Sequence, residues 1–437
     1  MKKDYQTKSV TAAAAGFVMP DTVSVAMSEL TENVKGRLLA LAVGAGLQVM
    51  HVLMAESASG VCGPKGRHDP ERIAVRHGSE AGSVTLGGRR VPVRRPRLRS
   101  ADGHGEVAVP AYELFSGTEL LDQMALERMT AKLSTRRYAA GLEPVGTAVE
   151  ATARSTSRSA VSQRFVTATE TTLAEMMAAE LSELDLVALM VDGVHFADHL
   201  CVVALGIGID GTKHPLGLVE GDTENATVVT DLLAGLRDRG LDVTKPTLVV
   251  IDGAKALSSV VKVVFDQPVI ARCQLHKIRN VQRRLNDAMG ATVATKMRAA
   301  YANPDALEAE AALEALARSL AKSHPGAAGS LREGLAETLT VARLGVPPTL
   351  ARSLRSTNMI ESMIEICRDH SSNVKRWRDG DMALRWCAAG MGEAKKQFQR
   401  VNGYLHLPAP RRPPAALDAH AAKTVTPPCD NEEEAAA

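Results

Sequence analysis

The sequence predicts an α/β fold: a mixed five-stranded sheet in the middle of the chain, flanked by helical segments, with a basic β-ribbon near the start. Three observations predict it. Residues 186–277 alternate apolar strands with amphipathic helices. Residues 111–180 and 278–350 carry helical periodicity. Residues 61–110 are rich in Gly, Arg and Pro with alternating Val, the pattern of short ribbons and turns. At 437 residues the chain is long enough for two or three domains with real cores. Apolar residues make up 45% and aromatics only 3%, so those cores must be built from Ala, Val, Leu and Ile.

Residues 1–20 begin MKKDYQTKSV and read as a disordered leader, because the apolar stretch is too short and broken for a signal peptide. Residues 21–110 hold a helix, with apolar residues at helical spacing through LLALAVGAGLQVMHVLM, and then the basic ribbon. No uninterrupted apolar run reaches about 18 residues, so no membrane span is expected. Residues 111–180 read as several helices of helix-turn-helix type. Ser155, Thr156 or Ser157 can cap the last of them.

The segment 186–277 is the informative one. LVALMVDGVHFAD (186–198), HLCVVALGIGID (199–210) and HPLGLVEGD (214–222) read as three antiparallel strands. NATVVTDLLAGLRDRG (225–240) is a helix with Asn225 or Thr227 near its start and Gly240 as its stop. PTLVVIDG (246–253) is a fully apolar, buried strand; ALSSVVKVVF is a helix; PVIARCQLHK begins as a last strand. Three antiparallel strands followed by crossover-linked parallel strands is the order of an RNase H-like domain. Residues 278–350 follow as Ala-rich helices and 351–405 as further helices. Residues 406–437 are Pro- and Ala-rich, end NEEEAAA, and are expected to be a disordered tail. The six cysteines, Cys62, Cys201, Cys273, Cys367, Cys387 and Cys429, form no Cys-x-x-Cys pair, so free thiols in a reducing cytoplasm are expected.

Two acids stand at the polar ends of apolar strands, Asp192 in LMVDG and Asp252 in VVIDG. Either alone reads as an Asp-Gly turn. Together they face each other, because the first and fourth strands of an RNase H-like sheet lie side by side. Adjacent carboxylates repel unless a divalent cation lies between them, and hard oxygen ligands suit Mg²⁺ or Mn²⁺. Two such ions stabilise the attacking and leaving oxygens of a phosphoryl transfer. A third carboxylate comes from SLRSTNMIESMIEICRDH (353–370), where Glu361 and Glu365 share one helix face, and spacing does not choose between them.

The chain resembles the mutator-type transposases of prokaryotic insertion sequences. The matching stretches are MVDGVHF, GTKHPLGLVEGDTENATV, LVVIDGAKAL, CQLHK, and STNMIES followed by NVKRW and ALRW, from about residue 186 to 405. The resemblance implies that Asp192, Asp252 and Glu361 match the family's DDE triad, which selects Glu361 over Glu365. It implies an RNase H-like catalytic core with an all-helical insertion, here 278–350. It also reads Cys273 and His276, the Cys-x-x-His element, as active-site support, while a two-ligand site would be an incomplete zinc tetrahedron. The chain departs from many relatives directly after the glutamate, where SMIEICRDHSS is less basic than their Arg- and Asn-rich stretch.

DNA contacts are expected in three places. GGRRVPVRRPRLRS carries Arg89, Arg90, Arg94, Arg95, Arg97 and Arg99 with no acid among them. ARSTSRSAVSQRF presents Arg158, Gln163 and Arg164 on a candidate recognition helix. The run from Arg272 to Arg284 offers Lys277 and Arg279 to a backbone near the active site. Trp377 is a candidate base-stacking residue, while Trp386 is expected to pack in the core. The resemblance implies metal-dependent cleavage and strand transfer at terminal inverted repeats, on double-stranded end and target DNA. It further implies a homodimer or larger assembly on the bacterial nucleoid, with no membrane involved. A catalytically silent DNA-binding derivative and a nuclease without strand transfer are the alternatives.

Overall fold

The computed structural model describes residues 21–64, 66, 67, 72–142, 145, 147–221 and 226–409. The expected leader, most of the expected tail, Cys429 and the candidate cap Asn225 lie outside the described residues. The chain divides into two compact units. One draws on residues up to 124 and on 135–161, the other on 125–134 and everything from 162.

The first unit is a long helix on a ribbon. Helix α1 (Asp21–Cys62) is followed by β1 (Ala74–Leu86) and β2 (Arg89–Ser100), an antiparallel hairpin. Gly87 and Gly88 make its turn at φ 57° and 74°. Two successive positive φ values are what a tight hairpin demands, and glycine meets them without a Cβ penalty. Val84, Val91 and Val93 form one buried cluster, against which Leu47 and Met50 of α1 pack. Strand β3 (Glu106–Val107) adds to the edge of β2. Helix α2 (Pro110–Ser116) follows, with Pro at the position where its missing N–H is harmless. Helix α3 (Glu119–Thr130) contributes residues to both units. Helix α4 (Thr147–Thr152) belongs to the first, and α5 (Arg158–Ala178) again contributes to both. Ser157 caps α5, its hydroxyl accepting from the Ala160 N–H at 3.3 Å.

Helix α1 bears on the expectation that no membrane span is present. Leu38, Leu41, Val49 and Val52 are exposed, and Leu41–Cys62 is long and apolar enough to cross a membrane by length and composition. Gln48, His51 and Glu56 interrupt its apolar residues, so it holds no unbroken apolar run of about 18 residues.

The second unit is built on the sheet. Its strands are β4 (Leu186–Phe196), β5 (His199–Gly208) and β6 (Lys213–Gly221). After α6 (Ala226–Asp238) come β7 (Thr247–Ile251), α7 (Lys255–Val264) and β8 (Pro268–Arg272). The order across the sheet is β6-β5-β4-β7-β8. The pairs among β4, β5 and β6 are antiparallel; β4–β7 and β7–β8 are parallel. This mixed α/β arrangement is compatible with an RNase H-like core. Every residue of β7 is buried, as a parallel strand covered on both faces requires. Successive residues of β4 feed opposite layers: Ala188 and Met190 one, Leu189 and Val191 the other, where α6 and α7 pack.

Helices α8 (Gln274–Gln282), α9 (Asp287–Ala302), α10 (Ala306–Leu320), α11 (Pro325–Arg332), α12 (Leu335–Thr338) and α13 (Thr340–Arg343) follow β8. Helices α8 to α12 share a core of their own around Val293, Met297, Leu313 and Leu331, while Val341 of α13 packs into the core of the sheet. Side-chain caps mark the starts the chain needs: Asn286 accepts from Met289 N–H, and Asp305 from Leu307 and Glu308 N–H. Helices α14 (Pro348–Leu354), α15 (Asn358–His370) and α16 (Gly380–Gln397) return to the sheet and cover its first layer. Leu407, inside the stretch expected as tail, is fully buried in that layer.

Candidate active site

Asp192 does not end its strand. It lies inside β4, opposite Val203 of β5, and Gly193 remains in the strand. What ends is the neighbour: β7 pairs with Ala188–Met190 only and stops at Ile251. Extending that register by two residues brings Asp192 level with Asp252. There the Asp-Gly pair does turn, with Gly253 at φ 113°. A Cβ at Gly253 would also meet the Arg272 guanidinium at 3.1 Å, so glycine is needed twice over. Asp192 and Asp252 line one small cavity together with Val191, Val202 and Leu257.

Glu361 stands in the first turn of α15. Its Oε1 accepts a hydrogen bond from Thr357 Oγ at 2.8 Å. The same hydroxyl lies 3.4 Å from Cys273 Sγ and 3.4 Å from His276 Nδ1. Thr357 N–H points to the same sulfur at 3.5 Å. His276 Nε2 is 3.9 Å from Glu361 Oε1. Thr357 is therefore a buried hub joining the Cys-x-x-His element at the start of α8 to Glu361. Sequence reasoning missed this role of Thr357, because nothing local marks a contact reaching back to residue 273. Cys273, His276 and Glu361 hold donor atoms all within 4.8 Å of one another.

The three carboxylates share a pattern. Asp192 Oδ1 accepts from Gly193 N–H at 2.8 Å, Asp252 Oδ1 from Ala254 N–H at 2.8 Å, and Glu361 Oε1 from Thr357. One oxygen of each is anchored locally. The other oxygen has no protein donor among the described residues. Burial pushes the Asp192 carboxyl up to about 6; the Gly193 N–H and the His276 charge work against this, and Asp252 and Glu361 add to it. The His276 imidazole is raised by its contact with Cys273, against burial, with Glu361 and Asp192 assisting. Burial raises the Cys273 thiol, but hydrogen bonds from His276 and Thr357 outweigh it and leave the thiol below its usual range. The donor set is hard oxygen on partly desolvated carboxylates, which fits a Mg²⁺ or Mn²⁺ centre. An open cleft of about 980 Å³ leads to it, lined by Asp192, His276, Arg279, Glu361, Glu365 and Arg368 among others.

The expected DNA contacts sort into two classes. Arg89 is buried, donating to the Gly87 carbonyl and paired with Glu150. Arg90 donates to Ser83, Thr85 and the Ser116 carbonyl. Lys277 is fully buried, donating to the Ser330 carbonyl at 2.8 Å and to that of Glu333. Arg89 and Lys277 are buried and Arg90 is half-buried, and the side chains of all three are spent on contacts within the fold. Arg95 and Arg97 are paired with Glu80 and Glu106 across the ribbon. Arg94 and Arg99 are exposed, as are Arg158 and Gln163 of α5, while Arg164 is half-buried. Arg279 is exposed in the cleft wall, and Arg368, which sequence reasoning missed, shares that wall.

Trp386 packs on Phe165 at 4.5 Å between ring centroids, as expected of a core residue. Trp377 lies on Phe196 at 4.8 Å and meets the edge of Trp386. Its ring is thus engaged with the core and is not part of the cleft lining. The five described cysteines are free and buried.

A family model described as Transposase, Mutator family, matches residues 24–401. The chain is similar to the transposase for insertion sequence element ISRM5 of Rhizobium meliloti (strain 1021), 26% identical over 361 residues, covering 82% of this chain and 88% of that protein. A probable insertion-sequence transposase of Corynebacterium diphtheriae is 30% identical over 226 residues, 49% of this chain and 65% of that one. The transposase for insertion sequence element IS256 in transposon Tn4001 of Staphylococcus aureus is 28% identical over 219 residues, 48% of this chain and 53% of that one.

Proposed function

The chain belongs to the mutator family of transposases, and on that premise we propose that Asp192, Asp252 and Glu361 hold two divalent metal ions and cut and rejoin DNA at the ends of an insertion sequence. The observation that carries this reading is the shared pattern of the three carboxylates, each with one oxygen anchored and one left over: Asp192 and Glu361 line one cleft, and Asp192 and Asp252 line one small cavity. The sheet order, with both aspartates where β4 outruns β7, supports an RNase H-like catalytic core, and the bundle α8–α13 fits the role of its insertion.

Bound there, Mg²⁺ or Mn²⁺ supplies activation of water and charge neutralisation at the attacking and leaving oxygens. The chain's own residues do the rest. Asp192 and Asp252 give hard oxygen ligands from a rigid sheet junction. Thr357 fixes the rotamer of Glu361 and so its free oxygen. His276, favoured in its charged form, tempers the repulsion among the carboxylates. Arg279 and Arg368 offer guanidinium groups to phosphates in the cleft. Glu365 lines the cleft but lacks the tie to Thr357, which favours Glu361 as the third ligand. Arg94, Arg99, Arg158 and Gln163 remain available to terminal-repeat or target DNA. Cleavage followed by attack of the freed 3′-hydroxyl needs positioning and charge stabilisation, with no covalent enzyme intermediate. Two element ends must be handled together, so a homodimer or larger assembly acting on chromosomal DNA in the bacterial cytoplasm follows from this reading.

A strand-transfer assay with labelled element ends and Mg²⁺ tests it. Asp192→Ala, Asp252→Ala and Glu361→Ala should each abolish cleavage and joining while keeping end binding. Wild-type activity in any of the three overturns the triad. Ends cleaved by the wild type but never joined to target would mark a nuclease instead.

A further inference from the structure

A second cavity, of about 230 Å³, opens at the start of α15. Arg298 and Tyr301 of α9 line it, with Arg352 of α14, Arg355 just after α14, and Ser356 and Asn358. No carboxylate lines it. Elsewhere in the neighbouring elements arginines pair with glutamates: Arg272 of β8 with Glu337, Arg332 with Glu314, Arg343 with Glu310. The three guanidiniums of the cavity have no ion-pair partner among the described residues. Like charges gathered in a small cavity repel and await an anion. Two further donor groups lie beside it. Thr357, the cap of α15, gives no side-chain cap, because its hydroxyl serves Glu361, so the first-turn N–H groups are uncovered. The Tyr301 hydroxyl is buried and has no hydrogen-bond partner, the neighbouring Thr338 hydroxyl being held by the Leu335 carbonyl at 2.6 Å.

The cavity and the cleft are linked through shared lining residues. Asn358 lines both the cavity and an adjoining groove with Lys213 and Ser362, and Ser362 lines the metal cleft. Asn358 and Glu361 are three residues apart on one helix, a rise of about 4.5 Å. We infer that Arg298, Arg352 and Arg355 form a phosphate-binding pocket for the backbone of the DNA strand that passes the metal centre. The inference rests on the transposase reading above. Planar guanidinium groups suit it because they grip phosphate oxygens bidentately.

The test compares wild type with the R298Q/R352Q/R355Q variant, in metal-free buffer, on a short duplex of arbitrary sequence with a single-stranded 3′ extension. Affinity is measured across a range of salt. Each lost phosphate contact lowers the slope of log affinity against log salt by about 0.7 to 0.9, so the variant should lose roughly two units and bind on the order of tenfold or more weakly at physiological salt. R298K/R352K/R355K should keep most of the slope. Should the triple glutamine variant fail to fold, Arg298→Gln and Arg352→Gln, both at exposed residues, should each lose roughly one unit of slope. Unchanged slope and affinity in folded variants overturn the pocket. So does inorganic phosphate raising the thermal midpoint of wild type and not of the variant while DNA affinity stays the same, which would mark a small-anion site. A wild type that binds no DNA overturns the transposase reading, and the pocket with it.

Discussion

Thr357 holds more of the site together than its size suggests. Replacing it with Val keeps the shape and removes the donor to Glu361, while Ser keeps the donor. Groups that orient a metal ligand typically affect metal affinity or activity about 10- to 100-fold. Thr357→Val should therefore raise the Mg²⁺ concentration needed for half-maximal cleavage by that factor, and Thr357→Ser should restore it. An equal loss in both variants, with the metal requirement unmoved, would make Thr357 a packing residue only. Lys277 gives a second prediction. Burial, with Arg272 nearby, lowers its pKa from the ordinary 10.5 to about 8. Across that window the unfolded chain binds the extra proton, so stability rises with pH between about 8 and 10.5. The rise should reach at most about 3 kcal/mol relative to Lys277→Met, read from denaturant melts at several pH values. Parallel pH profiles for the two proteins would contradict it. Lys277 was read as a DNA contact because its own segment is basic; its partners, the Ser330 and Glu333 carbonyls, lie in another helix and its connection. The side-by-side placement of Asp192 and Asp252 was legible because the first and fourth strands of such a sheet are neighbours.

At the level of elements, the β1–β2 ribbon shows what a linear charge run hides. The six arginines of β2 meet no acid along their own strand. Register then brings Glu80 of β1 opposite Arg95, and Glu106 of β3 opposite Arg99. The ribbon is thus partly self-neutralised, and Arg94 and Arg99 project from what remains. Arg90→Ala should lower stability by about 1–3 kcal/mol, since several half-buried acceptors lose their donor together. Arg94→Ala and Arg99→Ala should leave the thermal midpoint within about a degree or two and weaken DNA binding instead. The reverse pattern of midpoints and affinities would show the two classes misassigned. Strand β4 teaches the same lesson about length. Its Asp-Gly pair looked like a stop, yet the strand continues because β5 still pairs with it through Phe196. The true stop belongs to β7, which no inspection of LMVDG alone reveals.

For the whole molecule, a net charge of +2 says little about DNA affinity, because the cations are divided between structural and exposed positions. The sheet order was legible from the sequence, since three alternating strands and two apolar ones linked by helices admit few arrangements. The cluster of Arg298, Arg352 and Arg355 was not, because α9 and α14 meet only in the folded bundle. What unites the molecule is the claim that three carboxylates from β4, the end of β7 and α15 act as one metal site. Binding of Mn²⁺ to the DNA-free protein, followed calorimetrically in wild type, Glu361→Gln and Glu365→Gln, tests that claim most directly. The account predicts that Glu361→Gln loses affinity at least about tenfold while Glu365→Gln binds as the wild type does. Full affinity in Glu361→Gln, or loss in Glu365→Gln alone, would contradict it.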